Sequence, residues 1–203
     1  MKKIGEGLYY DVYELSSTRV LKVEKPYWRK QLTYLKWGML RYFFRNLIHP
    51  GIFKSSLEDS KRLPVIGGEL FGNTIFHDHF TCEQDKVQTI EAYFRTHSDE
   101  EKKVIIEKYI QLTYMLWERG FSDVVFNYLR NNGVTEDGRV ILCDFNEVTF
   151  SKEETIRAVQ RKPWLKPWML RLLFGSFERH VKKRLHAAFT IAHIEKYWNT
   201  HGN

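Results

Sequence analysis

At 203 residues the chain is long enough to bury a core, as one large domain or two small lobes. A hydrophobic fraction of 43% against 28% charged residues excludes an intrinsically disordered chain, and no stretch reaches the apolar length of a bilayer-crossing helix. The net charge of +7 favours an anionic partner: a nucleotide, a nucleic acid or an acidic membrane surface.

The opening "MKKIGEGLYY" has lysines but no apolar run, so no secretion signal is expected and the chain reads as cytoplasmic. From Lys2 to Lys25, alternation and β-branched residues predict three short antiparallel strands, with Gly5 and Gly7 in the first part and a turn at "LSST". From Pro26 to about Leu47 apolar residues recur at three and four, which predicts one amphipathic helix. Residues 63–82 read as two strands joined at Gly72-Asn73, with Cys82, like Cys143, a reduced core thiol. Ser98 with Glu101 forms a capping box that opens a long helix, Gly120 stops it, and Ile105, Tyr109, Leu112 and Leu116 form its core stripe. A loop through Asn127, a turn at Asp137-Gly138 and the strand "RVILCD" follow. Helices interrupted by Pro163 and Pro167 complete the chain from Lys152. The order predicts an α+β chain of two lobes, 1–82 and 83–203, with the boundary near residues 81–90.

The chemistry lies in four short patterns. Gly5-x-Gly7 lies between two strand segments, where glycines let backbone lie over phosphates and Val12 on the returning strand can pack on a base. A plain hairpin is the alternative. Lys22, inside the apolar "RVLKV", needs an anion unless it faces water at an edge. Asn127 ends a loop, and seventeen residues on Asp144 ends a strand. An amide oxygen and a carboxylate at one spot suit Mg²⁺. Taken alone, Asp144 reads first as a strand-end turn residue, and the rest of the chain shifts it toward the metal.

Taken in order, these segments resemble the protein-kinase fold, and "WERGFSDVVFNYLRNNGV" with "VILCDFNE" resembles the small bacterial YrbL family of PhoP-regulatory-network proteins. The resemblance implies a two-lobed fold: a small N-terminal antiparallel sheet with one helix, and a compact, mainly helical C-terminal lobe. It implies ATP and Mg²⁺ as cofactors, Gly5, Gly7, Val12 and Lys22 at the nucleotide, and Asn127 and Asp144 at the metal. Four positions depart from the kinase pattern, one of them Gly120, which stands where a histidine two before the catalytic aspartate is expected. Ser122 stands where the catalytic-loop aspartate is expected, with Asp123 beside it. Asn146 replaces the glycine after the metal aspartate. Gln31 occupies the place of the helix glutamate that holds the strand lysine. These departures imply a pseudokinase or a slow phosphotransferase, and the family resemblance implies a regulatory or envelope-related role.

Basic and aromatic residues interleave twice: Trp28, Arg29, Lys30, Lys36, Trp37, Arg41, Tyr42, Phe43, Phe44 and Arg45, and again in "RKPWLKPWMLRLLFGSFERHVKKRLHAAF". Such surfaces suit an acidic membrane, placing the protein peripherally on the cytoplasmic face of the inner membrane, or an acceptor such as a lipopolysaccharide core sugar. The plain alternative is that the aromatic residues pack a core while the charges sit in water. A nucleotide-free module binding membrane or, with less support, nucleic acid is the competing function. The eight histidines show no metal-ligand spacing, His77-x-His79 included.

Overall fold

A computed structural model of the chain describes residues 1–7, 9–36, 38–40, 43–44, 68–77, 81–145, 147–170 and 173–199. It is a mixed α+β structure of two compact units, Met1–Lys86 and Val87–Asn203. Of the helix expected to run to Leu47, Trp37, Arg41, Tyr42 and residues 45–47 (Arg45 included) lie outside the described residues, as do Asn146, Arg171 and His79.

In the first unit, β1 (Lys2–Glu6), β2 (Tyr10–Glu14) and β3 (Arg19–Glu24) form an antiparallel meander. Helix α1 (Tyr27–Lys36) follows, then β4 (Ile75–Phe76) and β5 (Thr81–Asp85). The five strands make one antiparallel sheet in the order β1-β2-β3-β5-β4.

Helix α1 ends well short of the Leu47 that periodicity predicts. Gly38 takes φ +68°, its N–H donates to the Leu35 carbonyl at 3.0 Å, and the Met39 N–H donates to Tyr34 at 2.8 Å. That pair of bonds closes a helix with a left-handed residue, a conformation glycine adopts without penalty. The predicted turn at Gly72-Asn73 is present, both residues having positive φ. The chain before it is a 3₁₀ turn (Gly68–Phe71) instead of a strand.

The second unit begins with β6 (Gln88–Thr89) and a short helix α2 (Ile90–Phe94) absent from the sequence reading, which Thr89 caps by accepting the Ala92 N–H. Helix α3 (Asp99–Glu118) opens on the reciprocal Ser98–Glu101 capping box and ends where Gly120 turns left-handed at φ +69°. Its predicted stripe is buried throughout. Then come β7 (Ser122–Asp123), β8 (Asn132–Val134), β9 (Val140–Leu142) and β10 (Val148–Thr149). The order β6-β8-β9 makes one small antiparallel sheet, and β7 pairs with β10. Helices α4 (Lys152–Gln160), α5 (Pro167–Leu170), α6 (Gly175–Ala188) and α7 (Ile191–Tyr197) close the unit, with a 3₁₀ turn at Pro163–Leu165.

The core of this unit is aromatic. Phe189 lies at the middle, its ring centroid 5.1–5.9 Å from those of Phe126, Trp164, Tyr109 and Trp117. Gly133, in the central strand β8, has no space for a side chain: a Cβ there would sit 2.3 Å from Val87 Cγ2 and 2.8 Å from its Cβ. Gly133→Ala is therefore expected to cost about 1–3 kcal/mol by overpacking. Trimming the obstacle in the Gly133→Ala, Val87→Ala double variant should recover part of it. Urea unfolding measures both, and an alanine variant as stable as the native chain would refute the close approach.

Candidate functional site

In the first unit, strand register brings three of the expected nucleotide residues into one row. Gly5 on β1 faces Val12 on β2, Val12 faces Lys22 on β3, and Lys22 faces Cys82 on β5. Directly opposed residues project to the same side of a sheet, so Val12, Lys22 and the buried Cys82 share one face. Gly5 and Gly7 both keep ordinary backbone angles. A Cβ at either would make ordinary contacts, 3.5 Å from Val12 Cβ and 3.5 Å from the Tyr10 carbonyl respectively. The internal packing of the unit therefore gives no steric reason for glycine at these two positions.

The turn after β1 is tied down by a buried lysine. Lys25 Nζ, 1% exposed, donates to Glu6 Oε1 (2.8 Å), to the Gly7 carbonyl (2.8 Å) and to Thr33 Oγ1 on α1 (3.1 Å). Three donors meet three acceptors, as a buried ammonium requires. The hydrogen bond and charge of Lys25 hold the Glu6 carboxyl down at about 2. Arg29 on α1 also reaches Asp11 Oδ2 on β2 at 3.1 Å.

Gln31 is buried on α1, and neither its amide nitrogen nor its oxygen has a hydrogen-bond partner among the described residues. It does not take over the role of the helix glutamate toward Lys22. A buried strand–helix ion pair is nevertheless present with its signs exchanged: Glu24 on β3 bonds Lys30 on α1. Sequence reasoning looked for an acid on the helix and missed a base there. The visible signal was Glu24 two residues after Lys22, with a helix lysine six further on.

In the second unit, Ser122 is committed to the core. Its Oγ accepts from Trp117 Nε1 (3.1 Å) and donates to the Asp123 carbonyl (3.3 Å). The carboxylate at this place belongs to Asp123. Its Oδ1 accepts from the backbone N–H of Val125 (2.8 Å) and Phe126 (3.2 Å), and its Oδ2 accepts from Asn131 Nδ2 (3.4 Å). Phe126 sits at φ +48°, a left-handed angle that bends these N–H groups onto the carboxylate. Its ring, clamped among Trp117, Trp164 and Phe189, keeps the bend in place.

Asn131 is the residue the sequence reading overlooked, and it joins the others. Its Oδ1 accepts from Asn127 Nδ2 (3.2 Å), its Nδ2 bonds Asp123, and its carbonyl accepts the N–H groups of Cys143 (2.7 Å) and Asp144 (3.0 Å). The spacing of four in "NYLRN" was the available clue, because one helical turn stacks residues i and i+4; the Asn131 N–H does donate to the Asn127 carbonyl at 2.9 Å. Asn127 Oδ1 accepts the Arg130 N–H at 3.3 Å and retains a second lone pair. Burial, reinforced by the Asp144 charge, pushes the Asp123 carboxyl up to about 7 against the pull of its three hydrogen bonds. Asp144 itself is partly exposed.

Among the described residues no group of three or more His, Cys, Asp and Glu could hold a metal. An Mg²⁺ site here would take one carboxylate oxygen from Asp144 and one amide oxygen from Asn127, with the rest from water and phosphate. That donor set fits a hard cation that keeps several waters. His77 is bonded to Glu83 (2.9 Å) as a surface pair. Among the described helices none is long and apolar enough to cross a membrane.

No family model matches the sequence, and no curated protein does. Among solved structures, the complex of Rv3197 with erythromycin from Mycobacterium tuberculosis is similar with a TM-score of 0.48 at 15% identity. The match covers 85% of this chain and 53% of that one, so the chain spans about half the length of the structure it matches.

Proposed function

We propose that the chain is a protein-kinase-like, Mg²⁺–ATP-binding protein of the YrbL type, acting as a pseudokinase or a slow phosphotransferase. The observation that supports it most is the Asn131 hub, which gathers Asp123, Asn127 and Asp144 by hydrogen bonds. A strand-end turn would need Asp144 alone. In this reading Asn127 and Asp144 hold the cation, and Gly5, Gly7, Val12 and Lys22 serve the nucleotide. When bound, Mg²⁺ neutralises phosphate charge and orients the nucleotide.

Asp123 takes the part of the carboxylate beside an acceptor hydroxyl, with Ser122 only supporting the strand. A base must be ionised to accept a proton, so any transfer rate rises with pH through about 7. The Glu24–Lys30 pair replaces the lysine–glutamate link of an efficient kinase, which favours slow turnover or none. An acceptor of the lipopolysaccharide core-sugar type suits the basic, aromatic composition.

The test is thermal unfolding with ATP, with and without Mg²⁺, on the native chain and on Asp144→Asn. A ligand at about 100 times its Kd stabilises a folded protein by about 2.7 kcal/mol. The expected result is a metal-dependent rise in Tm that the variant loses while its unliganded Tm stays put. No rise in the native chain would reject the nucleotide reading and favour a nucleotide-free interaction module.

A further inference from the structure

Residues 161–189 hold eight of the chain's 32 Lys and Arg but one of its 25 Asp and Glu. That stretch carries +7, the net charge of the whole protein, and the remaining residues sum to zero. Its apolar residues divide into two sets. Trp164, Met169, Phe177, Val181 and Leu185 are buried in the unit. Trp168 at 37% exposure and Phe174 at 75% face outward, and Phe174 is the most exposed aromatic side chain among the described residues. Phe174 stands at the N-cap of α6, with extended backbone and no side-chain cap bond.

Five cations of the same stretch are available. Lys182 is paired with Glu178 and Arg184 with Glu107, whereas Arg161, Lys162, Lys166, Arg179 and Lys183 are exposed and have no carboxylate partner among the described residues. Arg179 and Lys183 are four apart on α6 and share its outer face, opposite the buried Phe177, Val181 and Leu185.

From these observations we infer that Trp168 and Phe174 dock on an anionic lipid bilayer, their aromatic side chains entering the headgroup layer and the five lysines and arginines meeting lipid phosphates. Phosphate contacts alone would suit nucleic acid equally. The projecting phenyl ring decides for lipid, because headgroup-level aromatic residues beside cations gain both apolar burial and charge attraction. This docking is independent of any nucleotide site and stands or falls separately from it.

The test is sedimentation of the full chain with vesicles of phosphatidylcholine, alone or with about 30% phosphatidylglycerol, at about 0.05 and about 0.3 M salt. Binding is expected to the anionic vesicles only and to fall at the higher salt. Phe174→Ala, a change at an exposed position, should weaken it several-fold. Lys162→Gln with Lys166→Gln should weaken it about twenty-fold, at about five-fold per lysine. Lys2→Gln, one charge lost in the other unit, should leave it nearly unchanged, against about five-fold for either Lys162→Gln or Lys166→Gln alone. Equal binding to neutral vesicles, no binding, or a Phe174→Ala variant that binds like the native chain would overturn the inference. So would a soluble single-stranded oligonucleotide bound more tightly than the vesicles and indifferent to Phe174→Ala, which would reassign the surface to nucleic acid.

Discussion

Replacing Asp123 with asparagine removes a fall in folding stability that the native chain shows as pH rises from about 4 to about 7. The buried carboxyl ionises at about 7 in the folded chain and at its ordinary 3.8 when unfolded. Between those values the folded state keeps a proton that the unfolded state has released, so raising the pH favours unfolding. The stability is fully present below about 4 and gone above about 7. At about 1.4 kcal/mol per pH unit over about three units the swing is on the order of 4 kcal/mol. Asparagine keeps an oxygen for the Val125 and Phe126 N–H groups but presents a donor to Asn131 Nδ2, at a pH-independent cost of about 1 kcal/mol.

Glu6 and Asp137 act with the opposite sign. Both are held near 2, Glu6 by Lys25 and Asp137 by Thr135 and Arg139, so their contribution is present above the ordinary carboxylate values and lost as pH falls through about 2. The two windows overlap only between 3.8 and 4.5. Urea unfolding at several pH values separates them, and parallel curves for native chain and Asp123→Asn between about 4 and 7 would disprove the raised carboxyl.

The second large effect concerns Phe126. Its ring is buried among Trp117, Trp164 and Phe189, and removing such a side chain costs about 3–5 kcal/mol. Its backbone at φ +48° stores strain of about 1–2 kcal/mol that glycine alone escapes. Phe126→Ala therefore loses the ring and keeps the strain, while Phe126→Gly loses the ring and sheds it. The expected order of stability is native, then glycine, then alanine, the reverse of the usual ranking of those two residues. Chemical denaturation measures it. An alanine variant more stable than the glycine one would mean that the left-handed bend does not survive loss of the ring.

The legible parts of the fold are those whose signals are local. The Ser98–Glu101 box and Gly120 bound α3 because both ends are written within four residues of the cap. The end of α1 was hidden because the apolar period runs on past Gly38, and only the backbone shows that glycine turned left-handed. The tryptophans of the C-terminal stretch look alike in sequence. A 3₁₀ turn from Pro163 and a fresh helix from Pro167 break the helical phase between them, which buries Trp164 and leaves Trp168 outside. Of the candidate site, Asp123, Asn127 and Asp144 were readable as residues with suitable chemistry. Asn131 was marked only by its spacing of four from Asn127, and its role shows once its carbonyl is seen holding the start of the Asp144 segment.

Lys25 has a kinetic meaning for the turn between β1 and β2. Gly7 donates its N–H to the Tyr10 carbonyl at 2.8 Å and gives its own carbonyl to the buried ammonium, so both polar groups of the turn's glycine are already engaged. Gly7 therefore has little backbone freedom left to surrender. Anything that approaches it meets a surface already set, and association there is governed by complementarity of shape and charge, with little waiting for a loop to order and little entropy lost when it does.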